Sequence, residues 1–171
     1  VFNDPDSSLD GLENAAATDP ANSLNPHINR ALRMGAADYL TVPLETRFNI
    51  ENSNWTVQMW VRIDANENDG GVLLTRTATS GNGLESVNYE IGLNDQNQLY
   101  GMFKIAGRGE RRATSYRALP KELWIHVAAV YRLADSTLAV YINGREEWVL
   151  EVGGAVPEVD DAWHVTQTVG K

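Results

Sequence analysis

The sequence contains no cysteine among its 171 residues. That absence excludes a disulfide framework, thiol catalysis and any zinc site built on cysteine. It also lacks an apolar run near the roughly 20 residues that a membrane-spanning helix needs, so membrane insertion is not expected. Basic residues are few, because 14 Lys and Arg stand against 23 Asp and Glu, which gives a formal charge of −9. Such a surface repels phosphate backbones, and nucleic acid is not an expected partner.

Residues 1–30 differ in pattern from the remainder of the chain. Ser7 or Ser8 could cap a short helix over residues 9–17, and Asp19-Pro20 then ends it. We therefore predict an irregular N-terminal segment with one short helix over 1–30. The sequence begins with Val1 and shows no signal-peptide pattern, so we expect a processed mature protein or a piece of a longer one.

From residue 31 onward, apolar residues alternate with polar ones in short runs bounded by Gly, Asn and Asp. The clearest runs are Trp55–Ile63 and two within Trp124–Val149, where Asn143-Gly144 suits a type I′ hairpin turn. Further strands are predicted over residues 31–34, 38–42, 72–77, 89–93, 98–104, 114–119 and 163–169. Short strands at this spacing predict an all-β, two-sheet antiparallel β-sandwich.

Five of these stretches, ALRMGAADYLTVP, NWTVQMWVRI, YEIGL, WIHVAAVY and LAVYINGRE, resemble laminin-G-like modules in order and spacing. Those modules belong to the concanavalin A-like lectin/glucanase superfamily, which also includes the pentraxins. The resemblance implies a concanavalin A-like jelly roll over residues 31–171 and an extracellular or cell-surface setting. Such modules normally continue into a closing strand. Because this sequence stops at Lys171, we expect that strand to be missing and a neighbouring chain to pair with the open sheet edge.

Catalysis is not expected. Glycan-cleaving members of the superfamily use a run of carboxylates on one strand face, and Glu158-Val159-Asp160 is the only local match, without a third carboxylate. His126 lies in a predicted strand and is interpreted as a structural histidine.

The resemblance to pentraxins implies half of a calcium site in the loop between the strands predicted over 72–77 and 89–93. That loop offers the oxygen ligands Asn82, Glu85 and Asn88. Calcium is therefore the candidate cofactor. The alternative is an ordinary flexible loop of Gly, Asn and Ser.

A basic stretch stands out against the acidic composition. Residues 104–117 carry five basic side chains and a single acidic one. Arginines beside aromatic rings suit glycans that bear carboxylate or sulfate. The predicted ligand-binding residues are Tyr100, Arg108, Arg111, Arg112, Tyr116 and Arg117. The alternative is a solvated hairpin whose arginines pair with surface acids.

Together these observations predict a non-catalytic extracellular recognition or adhesion module of a larger surface protein, with a glycan or protein ligand and calcium assistance. The alternative is an architectural spacer or filament subunit that docks a neighbour through an open sheet edge.

Overall fold

The computed structural model describes residues 31, 33–34, 38–42, 48, 50, 53–66, 70–79, 83–155, 157 and 164–170. The chain divides into two compact units, Val1–Tyr39 and Leu40–Lys171. Every strand that the structure describes lies in the second unit. The segment over 1–30 and its predicted helix lie outside the described residues, and no helix in the described part is long and apolar enough to span a membrane.

In the described residues, ten strands form two antiparallel sheets. They are β1 Leu40–Val42, β2 Trp55–Val61, β3 Gly71–Thr79, β4 Glu85–Leu93, β5 Gln98–Ile105, β6 Gly109–Ala118, β7 Ile125–Arg132, β8 Thr137–Ile142, β9 Arg145–Glu151 and β10 His164–Val169. The six-stranded sheet has the order β1-β10-β3-β4-β5-β6, and the four-stranded sheet has the order β2-β7-β8-β9. The predicted all-β sandwich is confirmed.

The period of two in the sequence decides which side chains enter the core. In β2, Trp55 and Val61 are buried while Thr56, Gln58 and Trp60 are exposed. β2 pairs antiparallel with β7, and Trp55 lies opposite Tyr131 in that register. The Asn143-Gly144 turn has positive φ at both residues, 49° and 76°, as a type I′ turn requires.

The core fills the space between the two sheets. Ile91, Leu99 and Phe103 from the six-stranded sheet are fully buried, as are Val127 and Leu138 from the other sheet. These side chains belong to one hydrophobic cluster. Burial of each large aliphatic side chain stabilises the fold by about 1.5–3 kcal/mol.

The two sheets come close together where a glycine faces an alanine. A Cβ atom placed on Gly101 of β5 would lie 2.6 Å from the Cβ atom of Ala129 in β7. Real Cβ atoms do not approach to that distance, so this position in β5 has room for glycine alone.

Some predicted strand limits are wrong. Residues 31, 33 and 34 are not in a strand. β4 begins at Glu85 rather than at residue 89, because register shifts on both sides of it keep the chain paired with its neighbours. β6 begins at Gly109 rather than at residue 114. Its first residues are charged because β6 is an edge strand, where charged side chains discourage unwanted pairing.

Candidate functional site

One row of side chains crosses the outward face of the six-stranded sheet. The pairings of β10, β3, β4, β5 and β6 align its members from strand to strand. These are Thr168, Thr75, Glu90, Met102 and Arg112. Because alternate residues of a strand point to opposite faces, this row faces away from the hydrophobic core.

A carboxylate lies buried near the middle of this row. Glu90 is only 9% exposed, and its Oε1 atom accepts a hydrogen bond of 2.8 Å from the hydroxyl of Tyr100. Burial of the Tyr100 ring is the main reason that the pKa of its hydroxyl is raised, and the negative charge of Glu90 raises it further. The hydroxyl therefore stays protonated and continues to donate to Glu90 at neutral pH.

The Tyr100 ring is held from both sides. A Cβ atom on Gly92 would lie 2.5 Å from the Tyr100 hydroxyl oxygen, so glycine is needed beside it. On the other side, the Arg112 guanidinium lies 4.2 Å from the ring centroid, a cation–π contact. Arg112 also lies 3.1 Å from the Met102 sulfur, and its Nε atom lies 3.3 Å from Glu110 Oε1.

Thr75 supplies an unused polar atom next to Glu90. Its side-chain hydroxyl is buried and has no hydrogen-bond partner among the described residues. Thr75 is 6% exposed, and the neighbouring Thr168 in the row is also buried. A buried hydroxyl without a partner costs about 1–3 kcal/mol, and a bound polar ligand would remove that cost. We call Thr75, Glu90, Tyr100, Met102 and Arg112 the Glu90 cluster.

Of the six predicted ligand-binding residues, the structure brings only Tyr100 and Arg112 into this cluster. Arg111 points to the opposite face of β6, where its Nε atom lies 3.5 Å from the Val152 carbonyl oxygen. Arg108 lies in the turn between β5 and β6, where its backbone N–H donates to Ile105.

The other two predicted residues lie at the side of the sandwich where β6 meets β9. The Tyr116 ring packs edge-on against Trp148, with 4.8 Å between ring centroids. Arg117 forms an ion pair with Glu147. Its hydrogen bond to Glu147 lowers the pKa of that carboxyl. The single basic patch suggested by the sequence is thus divided among different surfaces.

The predicted calcium ligands are also placed differently from the expected loop. Glu85 and Asn88 lie within β4, and Asn82 lies outside the described residues. The Asn88 amide bonds the Ile50 backbone twice, accepting from its N–H at 2.9 Å and donating to its C=O at 2.7 Å. Both polar atoms of that side chain are thus occupied in holding residue 50. Among the described residues, no three His, Asp or Glu side chains form a group able to hold a metal ion.

His126, interpreted above as a structural histidine, has no part in the cluster. It packs its ring edge-on against Trp60 at 5.4 Å, on the four-stranded sheet. The carboxylates Glu158 and Asp160 lie outside the described residues.

The sequence analysis missed Thr75 and Glu90. A signal for Glu90 was present, because the run YEIGL places it between the apolar Tyr89 and Ile91 and hence on the face away from the core. Thr75 carried no comparable signal, since its neighbours in β3 follow no clean alternation and its importance comes from its position beside Glu90.

Comparison with solved structures finds a similar fold in other proteins. Domains LG4-5 of the mouse laminin alpha1 chain match with a TM-score of 0.53 and 18% identity, over 77% of this chain and 31% of that one. The CBM40 module of the Ruminococcus gnavus IT-sialidase matches with a TM-score of 0.56 and 10% identity, over 69% and 64%. The same module bound to alpha2,3 sialyllactose matches with a TM-score of 0.55 and 11% identity, over 68% and 63%.

The chain therefore spans under a third of the laminin chain and under two thirds of the CBM40 chain that it matches. At these identities the likeness shows the fold alone. No curated protein sequence matches the chain significantly.

A sequence model of the laminin-G type, described as the concanavalin A-like lectin/glucanases superfamily, matches residues 34–169. The two antiparallel sheets, their shared core and this match over most of the chain lead to one assignment. The chain belongs to the laminin-G branch of the concanavalin A-like lectin/glucanases superfamily.

Proposed function

We propose that this protein is a non-catalytic recognition module that binds a glycan through the Glu90 cluster. The observation that carries the proposal is the Thr75 hydroxyl, which is buried beside the Glu90 carboxylate on the outward face of a sheet and has no partner in the described part of the chain. Buried polar groups are normally hydrogen-bonded, so an unsatisfied one indicates a missing partner. A related fold, the CBM40 module, is named as bound to sialyllactose, which supports a glycan as the class of ligand.

The side chains of the cluster suit the groups that a sugar presents. One oxygen of Glu90 is taken by Tyr100, and the other can accept hydrogen bonds from sugar hydroxyls. The Thr75 hydroxyl can both donate and accept. The Arg112 guanidinium can leave Glu110 and bond two oxygens of a carboxylate or sulfate in parallel, which is the geometry that favours acidic glycans.

The same groups are poorly placed for catalysis. Some glycosidases use a tyrosine nucleophile, and Tyr100 has the required carboxylate neighbour. However, Arg112 covers the Tyr100 ring and the Tyr100 hydroxyl already donates to Glu90, so a sugar carbon has no open approach to the hydroxyl oxygen. The raised pKa of Tyr100 also keeps its hydroxyl protonated at neutral pH. These features support binding without cleavage.

The test compares adjacent arginines that face opposite ways. Arg112→Ala should weaken binding to alpha2,3-sialyllactose about tenfold or more, since loss of a charge-assisted pair costs about 1.5–3 kcal/mol. Arg111→Ala removes the same charge from the other face and should leave the dissociation constant unchanged. Thr75→Val and Glu90→Gln should weaken binding of sialyllactose and of lactose alike. Calorimetric titration measures all four variants, and equal affinity of Arg112→Ala and wild type would contradict the proposal.

We further propose an extracellular or cell-surface setting within a larger protein, with adhesion as the role. Support comes from the laminin domains of the same fold and from the small share of those chains that this module spans. Detection of the protein on intact cells by protease accessibility would test the setting.

Calcium assistance stays a prediction. Its remaining candidate ligands are Asn82 and Glu85, because both amide atoms of Asn88 already bond Ile50. Specific binding to the native state raises the melting temperature in proportion to the logarithm of ligand concentration. A melting temperature that rises with calcium but not with magnesium would support the site, and an unchanged value would remove it.

An architectural role is the second candidate, and the position of β2 favours it. β2 is the end strand of the four-stranded sheet in the described part of the chain. A cleft beside it is lined by apolar side chains that include Ile50, Val57 and Leu74. An exposed strand edge can pair with an added strand. Sedimentation that shows concentration-dependent assembly of the full chain would favour this role, whereas a monomer that binds glycan favours recognition.

A further inference from the structure

A second group of aromatic and basic side chains lies on the outward face of the four-stranded sheet, whereas the Glu90 cluster lies on the six-stranded sheet. Trp60 and Trp124 are 63% and 51% exposed. Trp60 pairs with His126 in the β2–β7 register. Arg62 directly follows β2 and Trp124 directly precedes β7. The Glu122 N–H donates to the Ile63 carbonyl oxygen at 2.8 Å, so these two segments lie side by side at the same end of the sheet as Trp60 and His126. We call Trp60, Arg62, Trp124 and His126 the indole face.

Two indoles that stay exposed to water forgo the stabilisation that burial of their apolar area would give. Transfer of apolar area from water stabilises by about 25 cal/mol per Å². Tryptophan is normally mostly buried. The Trp60 ring is also fixed in orientation, because it packs edge-on against His126 with 5.4 Å between centroids. A fixed ring with an open face is suited to stack on a flat apolar group.

The charges on this surface are already compensated. Arg62 lies 2.6 Å from Glu122 and 3.6 Å from Asp64. Farther along the same face, Arg132 pairs with Glu146 at 3.9 Å, and Tyr141 bonds both. No excess positive charge is therefore left to attract a polyanion, and the chain as a whole carries −9. An uncharged ligand is the one that these electrostatics favour.

The remaining side chains favour a sugar over a protein surface. The outward positions of β7 are His126, Ala128, Val130 and Arg132, and only Val130 is a branched aliphatic. A protein-docking surface has a larger apolar centre around its aromatic anchors. Indoles among imidazole, guanidinium and amide groups match a sugar ring, which has C–H groups on its faces and hydroxyls around its edge.

We propose that the indole face binds an uncharged polysaccharide, with successive sugar rings stacked on Trp60 and Trp124. The surface lies on the other sheet from the Glu90 cluster, so the two sites are independent. A chain with both sites could hold two glycan segments at once. Simultaneous engagement of that kind raises overall avidity without any new contact at either site.

The test is native electrophoresis of the full chain through gels that contain galactomannan, xyloglucan, laminarin or hydroxyethyl cellulose. We expect wild type to be retarded in at least one gel. Trp60→Ala and Trp124→Ala should each weaken that binding about tenfold, the size of one stacking contact. Trp60→Phe, which keeps a ring, should retain most of it. Leu123→Ala is the matched control, because Leu123 is an exposed apolar neighbour without an indole.

Three results would overturn the proposal: no retardation of wild type in any gel, equal retardation of wild type and both tryptophan variants, or an equal loss in Leu123→Ala. Concentration-dependent dimerisation of wild type that Trp60→Ala abolishes would show instead that the face binds a second copy. Thr75→Val should bind these polymers as wild type does. Failure of the Glu90 cluster to bind glycan is therefore distinguishable from failure here. Protection of tryptophan fluorescence from acrylamide by the polymer gives a second readout.

Discussion

At the residue scale, the Glu90 cluster shows how a sheet can nearly bury a carboxyl group while giving it a hydrogen-bond donor. Glu90 is paired with a hydroxyl donor, and the Arg112 cation lies across the ring of that donor. Burial of a carboxylate without such partners would be costly. In the proposed function, the same arrangement leaves one Glu90 oxygen and the Thr75 hydroxyl for a ligand, so stability and the proposed recognition would depend on the same few atoms.

Replacement of Tyr100 by Phe tests the hydroxyl in this arrangement. At pH 7 the variant should be less stable by about 1–3 kcal/mol, because Glu90 loses its donor. Burial raises the pKa of Tyr100 in the folded state, while the unfolded tyrosine ionises near pH 10. Above that pH the unfolded wild type releases a proton that the folded state holds, so the contribution of Tyr100 declines as pH rises.

Urea unfolding from pH 7 to 11 measures this effect. The difference in unfolding free energy between wild type and Tyr100→Phe should shrink above about pH 10. Tyr89, Tyr131 and Tyr141 also have raised pKa values, but they remain in both proteins and their contributions cancel. A difference that stays constant over the whole range would show that the hydroxyl has no such role.

At the element scale, a residue in the turn of the β8–β9 hairpin also helps to hold the neighbouring strand β7 in register. Asn143 has a φ of 49°. Its Oδ1 atom accepts a hydrogen bond of 3.0 Å from the His126 N–H, and its own N–H donates to the His126 carbonyl at 2.8 Å. The turn residue thus bonds the neighbouring β7 strand as well as reversing the chain. These two hydrogen bonds hold the His126 backbone in place, and His126 lies at the edge of the indole face.

Substitution of Asn143 separates these two roles. Asn143→Gly keeps the freedom to adopt positive φ and loses only the side-chain bond, which should cost about 0.5–1.5 kcal/mol. Asn143→Ala also forces a non-glycine residue into the left-handed region, which adds about 1 kcal/mol or more. Urea unfolding should therefore rank wild type above Asn143→Gly and Asn143→Gly above Asn143→Ala. The reverse order of the two variants would exclude strain at this residue.

The same elements show what the sequence could and could not predict. The strand pair β7–β8 and its turn followed from alternation and from Asn-Gly, since both are local signals. The start of β4 did not, because Ser86 and Asn88 are typical of loops and stay paired only through register shifts that the neighbouring strands impose. The Glu90 cluster depends on alignment across five strands, and no single stretch of sequence contains that alignment.

At the scale of the whole molecule, the two sheets meet at matched small residues. Gly101 in β5 faces Ala129 in β7, and Val140 in β8 packs against the same point. A larger side chain there would push the layers apart. Tyr100 precedes Gly101 in β5 and points to the opposite face of the same sheet. The spacing of the sheets at Gly101 therefore also affects the position of Tyr100 in the Glu90 cluster.

A reciprocal exchange of these two residues tests that spacing. Gly101→Ala should destabilise the protein by about 1–3 kcal/mol, because its new methyl group overlaps the Ala129 side chain. Ala129→Gly alone leaves a small void and should cost about 1 kcal/mol. The double variant returns one methyl group to the interface. It should be more stable than the sum of the single changes predicts, which is the signature of direct contact. Additive losses in urea unfolding would mean that the layers adjust independently, and that the sheet spacing is not set at this contact.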